Sequence, residues 1–150
     1  MTKNLIKLIL SILMLFSFNS LIFAKGKIGF ACGYAGSPTE SVILIDSLVK
    51  SKDFNKIRRL LNSNDDGKKC LSVIVCEILE TKKVIELTEK EKKKIKDAYE
   101  SNKKIHLCAG CTYYGDTIMK DILNEIDSDG WGYSNSIKQI TKNRYEKLIE

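Results

Sequence analysis

The chain has 150 residues but only one proline, one histidine and one tryptophan. Each scarcity excludes something. Because Pro38 is the only proline, no helix downstream of it is broken by a pyrrolidine ring. His106 is the only histidine, and no Gly-x-Ser-x-Gly occurs, so a Ser-His-Asp relay cannot be assembled on paper. A Gly-rich phosphate loop, a dinucleotide fingerprint and a His-Glu-x-x-His pair are also missing. Hydrolase and transferase readings are therefore poorly supported. No catalysis, no cofactor and no resident metal are expected.

What is present begins with an address. Residues 1–24, "MTKNLIKLILSILMLFSFNSLIFA", carry Lys3 and Lys7, no acid, an apolar stretch from Leu8 to Phe16, and a tail ending in Ala24. That is the order of a secretory signal: basic start, apolar middle, small residue at the cut. Ser17, Asn19 and Ser20 interrupt the apolar stretch before it reaches the roughly 20 residues a spanning helix needs. The expected product is a single domain over residues 25–150, secreted or periplasmic, with no membrane segment after cleavage. All five cysteines (Cys32, Cys70, Cys76, Cys108, Cys111) follow this leader and would meet an oxidising compartment. Loss of the two leader lysines lowers the formal charge from +6 to about +4. The remaining lysines are interleaved with acids, as in "TEKEKKKIKDAYESNKK", which reads as a solvated helix face and not as a nucleic-acid surface.

Periodicity and caps predict mostly helix. "KGKIGFACGYAG" reads as an extended, glycine-rich lead-in. In "SPTESVILIDSLVKS", Ser37 and Glu40 have capping-box spacing and Pro38 fits the first helical position. Asp53 is placed to cap a short helix through Phe54, Ile57, Leu60 and Leu61. Leu71, Ile74, Val75, Ile78 and Leu79 form a helical stripe with Val73 on the opposite side, so this helix should be central and covered on several faces. Thr88 and Glu91 form a second capping box before a charged outer helix, about residues 89 to 101. "KIHLC" is extended. Asp116 is placed to cap a helix through Ile118, Met119, Ile122, Leu123 and Ile126. A last helix carries Ile137, Ile140, Tyr145, Leu148 and Ile149.

The stretch "IRRLLNSNDDGKKCLSVIVCEIL" resembles one unit of a HEAT-like repeat over residues 53–80: a short helix ending in Leu-Leu, an Asp-containing turn, then an apolar second helix. The resemblance implies an α-hairpin packing style and a binding surface, and no activity. The expected fold class is mostly α: a compact helical bundle or short HEAT-like α-hairpin array with a Cys-containing extended loop.

Cys108-x-x-Cys111 follows an extended run and invites a redox reading, with Cys108 as nucleophile and Cys111 as resolving thiol. A thioredoxin-like fold would also need a cis-proline facing the pair, and no proline follows Pro38. Haem attachment would need His at 112, where Thr stands. Zinc could draw on Cys108, Cys111 and two of Cys32, Cys70 and Cys76, with His106 on the same strand face as Cys108, but only Cys108 and Cys111 have ligand spacing, so no metal site is assigned. Cys70 and Cys76 lie about 9 Å apart along a helix axis and about 120° apart around it. They cannot bond each other, since a disulfide needs Cα atoms within about 7 Å. The candidate schemes are links from one or both of them to the Cys108/Cys111 loop or to Cys32, or a local Cys108–Cys111 bridge with the rest buried.

Between the last helices, "DSDGWGYSNSIK" has calcium-loop beginnings at Asp127 and Asp129 but Lys138 where a bidentate Glu is required, so it reads as a turn. Tyr113, Tyr114, Trp131 and Tyr133 are either core fillers or candidate interface anchors. The function expected is that of an exported small helical protein that binds another protein, of immunity or inhibitor type. The alternative is an exported thiol-disulfide or metal-handling protein built on Cys108 and Cys111.

Overall fold

The computed structural model describes residues 26–128, 130 and 132–149; the leader read at residues 1–24 lies outside them. In chain order the elements are β1 (Lys27–Cys32), α1 (Glu40–Lys50), α2 (Phe54–Leu60), α3 (Asp66–Thr81), α4 (Glu89–Tyr99), β2 (Lys104–Gly110), β3 (Thr112–Ile118), α5 (Met119–Leu123) and α6 (Tyr133–Glu146). Buried apolar residues from β1, β2 and all six of these helices join one core cluster.

The middle of the chain follows its local signals. Asp53 accepts from the Lys56 amide at 3.2 Å and starts α2. Asp65 does the same for α3 through Lys68 at 3.0 Å. Thr88 and Glu91 form the reciprocal capping box of α4. Helix α3 is the hub: Cys70, Leu71, Val73, Ile74, Val75, Cys76 and Leu79 are all fully buried. A helix apolar on most of its circumference needs neighbours on several sides. Here α1, α2, α4, α5, α6, β1 and β2 supply them.

The fold class differs from the mostly helical expectation. Beside the helices lies a three-stranded mixed sheet in the order β1-β2-β3. β1 runs parallel to β2, with Ile28 opposite Leu107 and Cys32 opposite Gly110. A parallel pair needs a long crossover, and α1 to α4 provide it. β2 and β3 form a hairpin, with Ala109 opposite Thr112 across a two-residue loop, Gly110–Cys111. Gly110 has φ +52, the left-handed conformation that such a tight turn asks of its first central residue. The molecule is therefore mixed α/β, not a helical bundle or an α-hairpin array.

Two helix starts move for the same reason. Ser37 does not cap α1. Its backbone is spent on Cys32, with Cys32 N to Ser37 O at 2.7 Å and Ser37 N to Cys32 O at 3.0 Å, and the Thr39 amide bonds Gly29 O at 2.9 Å. The helix begins only at Glu40, after Thr39. Likewise Asp116 does not cap a long helix. It lies in β3 opposite His106, and α5 is a five-residue helix that starts at Met119. In both places pairing with a nearby strand residue, Cys32 for Ser37 and His106 for Asp116, overrides a local cap.

Candidate functional site

β2 alternates faces along its length. Ile105 and Leu107 point into the core with Ile28. His106, Cys108 and Gly110 belong to the other face, and strand pairing brings Lys27, Cys32 and Asp116 to that same face. His106 Nδ1 is paired with the Asp116 carboxylate, each side chain about one-fifth exposed. The sole histidine is thus held by a carboxylate one strand away.

The same face carries the disulfide Cys32–Cys108, with Cα atoms 5.4 Å apart. Two bulges flank it. β1 has an extra residue between Ile28 and Ala31, and β3 has one opposite the Leu107–Cys108 step. Bulges redirect side chains and are common beside functional positions. Here both fall at the level of Cys108, and the one in β1 lies in the segment that delivers Cys32. Gly29 lies beneath the bond. A Cβ built on it would stand far inside contact distance of the sulfurs of Cys32 and Cys108 and of the Cys108 carbonyl. Only glycine lets the backbone pass there.

Around this bond one end of the sheet assembles. β1 and β2 are parallel, so the Gly33–Gly36 turn after β1 and the Gly110–Cys111 loop after β2 lie at the same end. Tyr133, first residue of α6, reaches that end and donates its hydroxyl to Cys108 O at 3.1 Å. Tyr34 stands on the Gly33–Gly36 turn with 99% of its surface exposed. Cys111 is an exposed thiol at the tip of the hairpin.

The cysteines read from sequence therefore divide. Cys32 and Cys108 are joined, Cys111 is exposed beside them, and Cys70 and Cys76 stay apart as thiols inside α3. Burial raises the Cys76 thiol to about 12 and pushes Cys70 upward as well. The bond that forms pins the N-terminal lead-in to the mid-chain strand and leaves the central helix without a sulfur link. Of the aromatic candidates, Tyr133 belongs to this end. Tyr113 and Tyr114 lie in β3, but their side chains, like Trp131 as a whole, are outside the described residues. Tyr34 was missed by the sequence reading, although an aromatic between two glycines in "GYAG" marks a displayed residue.

The loop before α6 behaves as a turn. Asp127 Oδ1 accepts from the amides of Gly130 at 3.0 Å and Gly132 at 3.2 Å. Its would-be twelfth ligand, Lys138, lies elsewhere, in a cleft of about 370 Å³ lined also by Glu77, Tyr99 and Lys142. Lys138 Nζ donates to the Tyr99 hydroxyl and to Leu123 O, each at 2.8 Å. The Tyr99 hydroxyl in turn donates to both Glu77 oxygens at 2.9 and 3.0 Å. Burial first, then the Glu77 carboxylate, pushes the Tyr99 phenol upward. This network ties α3, α4, α5 and α6 together through partnered polar groups.

Among the described residues no cluster of three or more His, Cys, Asp and Glu side chains is placed to hold a metal, and no helix is long and apolar enough to cross a membrane. No protein-family model, no curated protein and no solved structure matches this chain.

Proposed function

We propose that this protein is exported and acts by binding another protein, with the sulfur-bearing end of the sheet as its contact surface. The observation that carries the reading is Tyr34: a fully exposed aromatic on a short turn held at both ends. Cys32 anchors one side of that turn through the disulfide, and the paired backbone bonds between Cys32 and Ser37 close it. An aromatic displayed on a restrained turn loses little conformational freedom on docking, and Tyr is among the residues that dominate binding energy at interfaces. The single histidine and the Lys138–Tyr99–Glu77 network are bonded to protein partners, which fits a structural role for both.

The finer form of this proposal is that the chain itself acts as an inhibitor or immunity protein, in a secreted or periplasmic setting. Affinity capture from the native envelope fraction with the wild-type chain and with Tyr34→Ala tests it. A specific partner retained by the wild type should bind the variant at least about tenfold more weakly, a loss of about 1.4 kcal/mol or more. Equal retention by a folded, disulfide-intact Tyr34→Ala protein refutes this surface. The intact mass of the purified chain tests export: a product beginning near residue 25 agrees with it, and a chain that keeps its first 24 residues does not.

A further inference from the structure

One groove on this protein collects cations that have no carboxylate partner. Two clefts adjoin along the side of α4 that faces α2. The first, of about 350 Å³, is lined by Asn55, Arg59 and Lys90 with the Arg58–Glu91 pair. The second, of about 310 Å³, runs on past Lys69, Asp97 and Ser101. They share Asn62 and Lys94, whose side chains meet, so the two clefts form one groove. From Thr88 to Ala98 the groove follows α4 for about 15 Å, at the helical rise per residue. That matches about four or five residues of an extended chain.

Five cations line the groove against two carboxylates. Glu91 is already engaged: it holds Arg58 through two bonds of 2.8 Å and completes the capping box of α4. Arg59, Lys69, Lys90 and Lys94 belong to no ion pair among the described residues. The Arg59 charge reaches Asp53 without pairing to it, and Lys94 meets the Asn62 side-chain oxygen. Lys90 and Lys94 stand one turn apart on one helix face, and like charges at that spacing repel. An anionic chain lying between α2 and α4 converts this repulsion into attraction. We propose that the groove docks an acidic segment of a partner polypeptide in extended form. The proposal rests on the reading that this chain binds a protein, but on a second surface: neither the Gly33–Gly36 turn nor the Gly110–Cys111 loop lines it.

The lining chooses among polyanions. Asn55, Asn62, Thr88 and Ser101 add side chains able to bond a peptide backbone. No aromatic residue lines either cleft, whereas single-stranded nucleic acid is held by aromatic faces that stack its bases. A bilayer surface is too broad to enter a groove between two helices.

The test uses the purified full chain and a fluorescein-labelled hexaglutamate peptide, followed by anisotropy at about pH 7 and about 20 mM salt. Saturable binding is expected, weakened at least about tenfold at about 0.5 M salt. The triple variant Arg59→Gln, Lys90→Gln, Lys94→Gln should bind at least about tenfold more weakly. It keeps Arg58, Glu91 and the capping box of α4. A control triple, Lys50→Gln, Lys142→Gln, Lys147→Gln, loses the same charge at positions that line neither cleft. It should bind within about threefold of wild type. Equal weakening of the two triples means that binding follows net charge and overturns the proposal, as does the absence of saturable binding by wild type. Tighter binding of single-stranded RNA or of phosphatidylserine vesicles, lost in the groove triple, overturns the assignment to a polypeptide. If the groove triple does not fold, Lys90→Gln alone decides: a loss of about threefold supports the groove, and no loss refutes it. Tyr34→Ala should leave peptide binding unchanged, so this result and partner capture through Tyr34 can fail separately.

Discussion

Cys70 and Cys76 sit in the hub helix; Cys32, Cys108 and Cys111 sit at the end of the sheet. The residue type is the same in both regions and the physical role is opposite. In α3 the thiols are fully buried in the core cluster and behave as small apolar groups. At the sheet end the backbone is bent by two bulges, glycine replaces a side chain, and sulfur becomes a bond and an exposed thiol. The comparison teaches that burial and backbone approach, not cysteine spacing, decide what a cysteine does. Cys108-x-x-Cys111 has the spacing of a pair, yet Cys108 is bonded to a residue 76 positions away.

The largest expected effect is in the hub. Leu71→Ala should cost about 3–5 kcal/mol, since Leu71 is fully buried in a well-enclosed region. Urea unfolding reads this directly. Next comes the sheet-end bond. Cys32→Ser, with the disulfide lost, should cost about 2–4 kcal/mol, because the bond closes a long loop. Gly29→Ala sharpens the point: it leaves every cysteine in the sequence, yet its Cβ clashes with both sulfurs. Thiol counting should show the Cys32–Cys108 bond weakened or lost in Gly29→Ala. An intact bond at wild-type stability would mean that the glycine is not the device that admits it. The third effect returns to the hub. Cys70→Ser puts a hydroxyl where a thiol packs among apolar groups and should cost about 1–3 kcal/mol, while Cys70→Ala should cost less. Equal costs for the two would break the contrast between packing sulfur and bonding sulfur.

The hub was legible in the sequence because its signals are local. The stripe from Leu71 to Leu79 and the caps at Asp53 and Thr88 each lie within one helix, and the structure reproduces them. The sheet was not legible, because β1 and β2 pair across about 80 residues, as Lys27 with His106, and neither has a long alternating pattern. "TYYGDTI" has the aromatic and β-branched composition of a strand. The sequence pattern nevertheless points to a loop and a helix start, because Asp116 sits just before an apolar stripe. Ser37 misled in the same way: a good cap residue was already engaged by a strand. At the site, the cysteines were identifiable by type. Their pairing was not, because it depends on Gly29 and on two bulges that only the folded register reveals.

The smallest expected effect concerns the clamp over the hub sulfur. Arg58 on α2 and Glu91 on α4 form a bidentate pair, both bonds at 2.8 Å, close enough to Cys76 for each charge to influence its thiol. The Arg58 guanidinium, aided by Thr88, outweighs burial and holds the Glu91 carboxyl down at about 2. A carboxyl depressed in the folded state adds stability that is fully present above its unfolded value, about 4.3, and is lost as pH falls through its folded value. Wild type and Glu91→Gln should therefore differ by about 1–2 kcal/mol at pH 6 and converge between pH 4 and 2, since Gln keeps the capping-box geometry but not the charge. The same window can be read at the sulfur with a disulfide reagent that reacts in acid. Cys76 should stay protected at pH 6 and gain reactivity towards pH 2 before Cys70 does, because the clamp lies beside Cys76 alone. Simultaneous exposure of the two thiols would mean that the hub opens as one unit and that the clamp gives Cys76 no protection of its own.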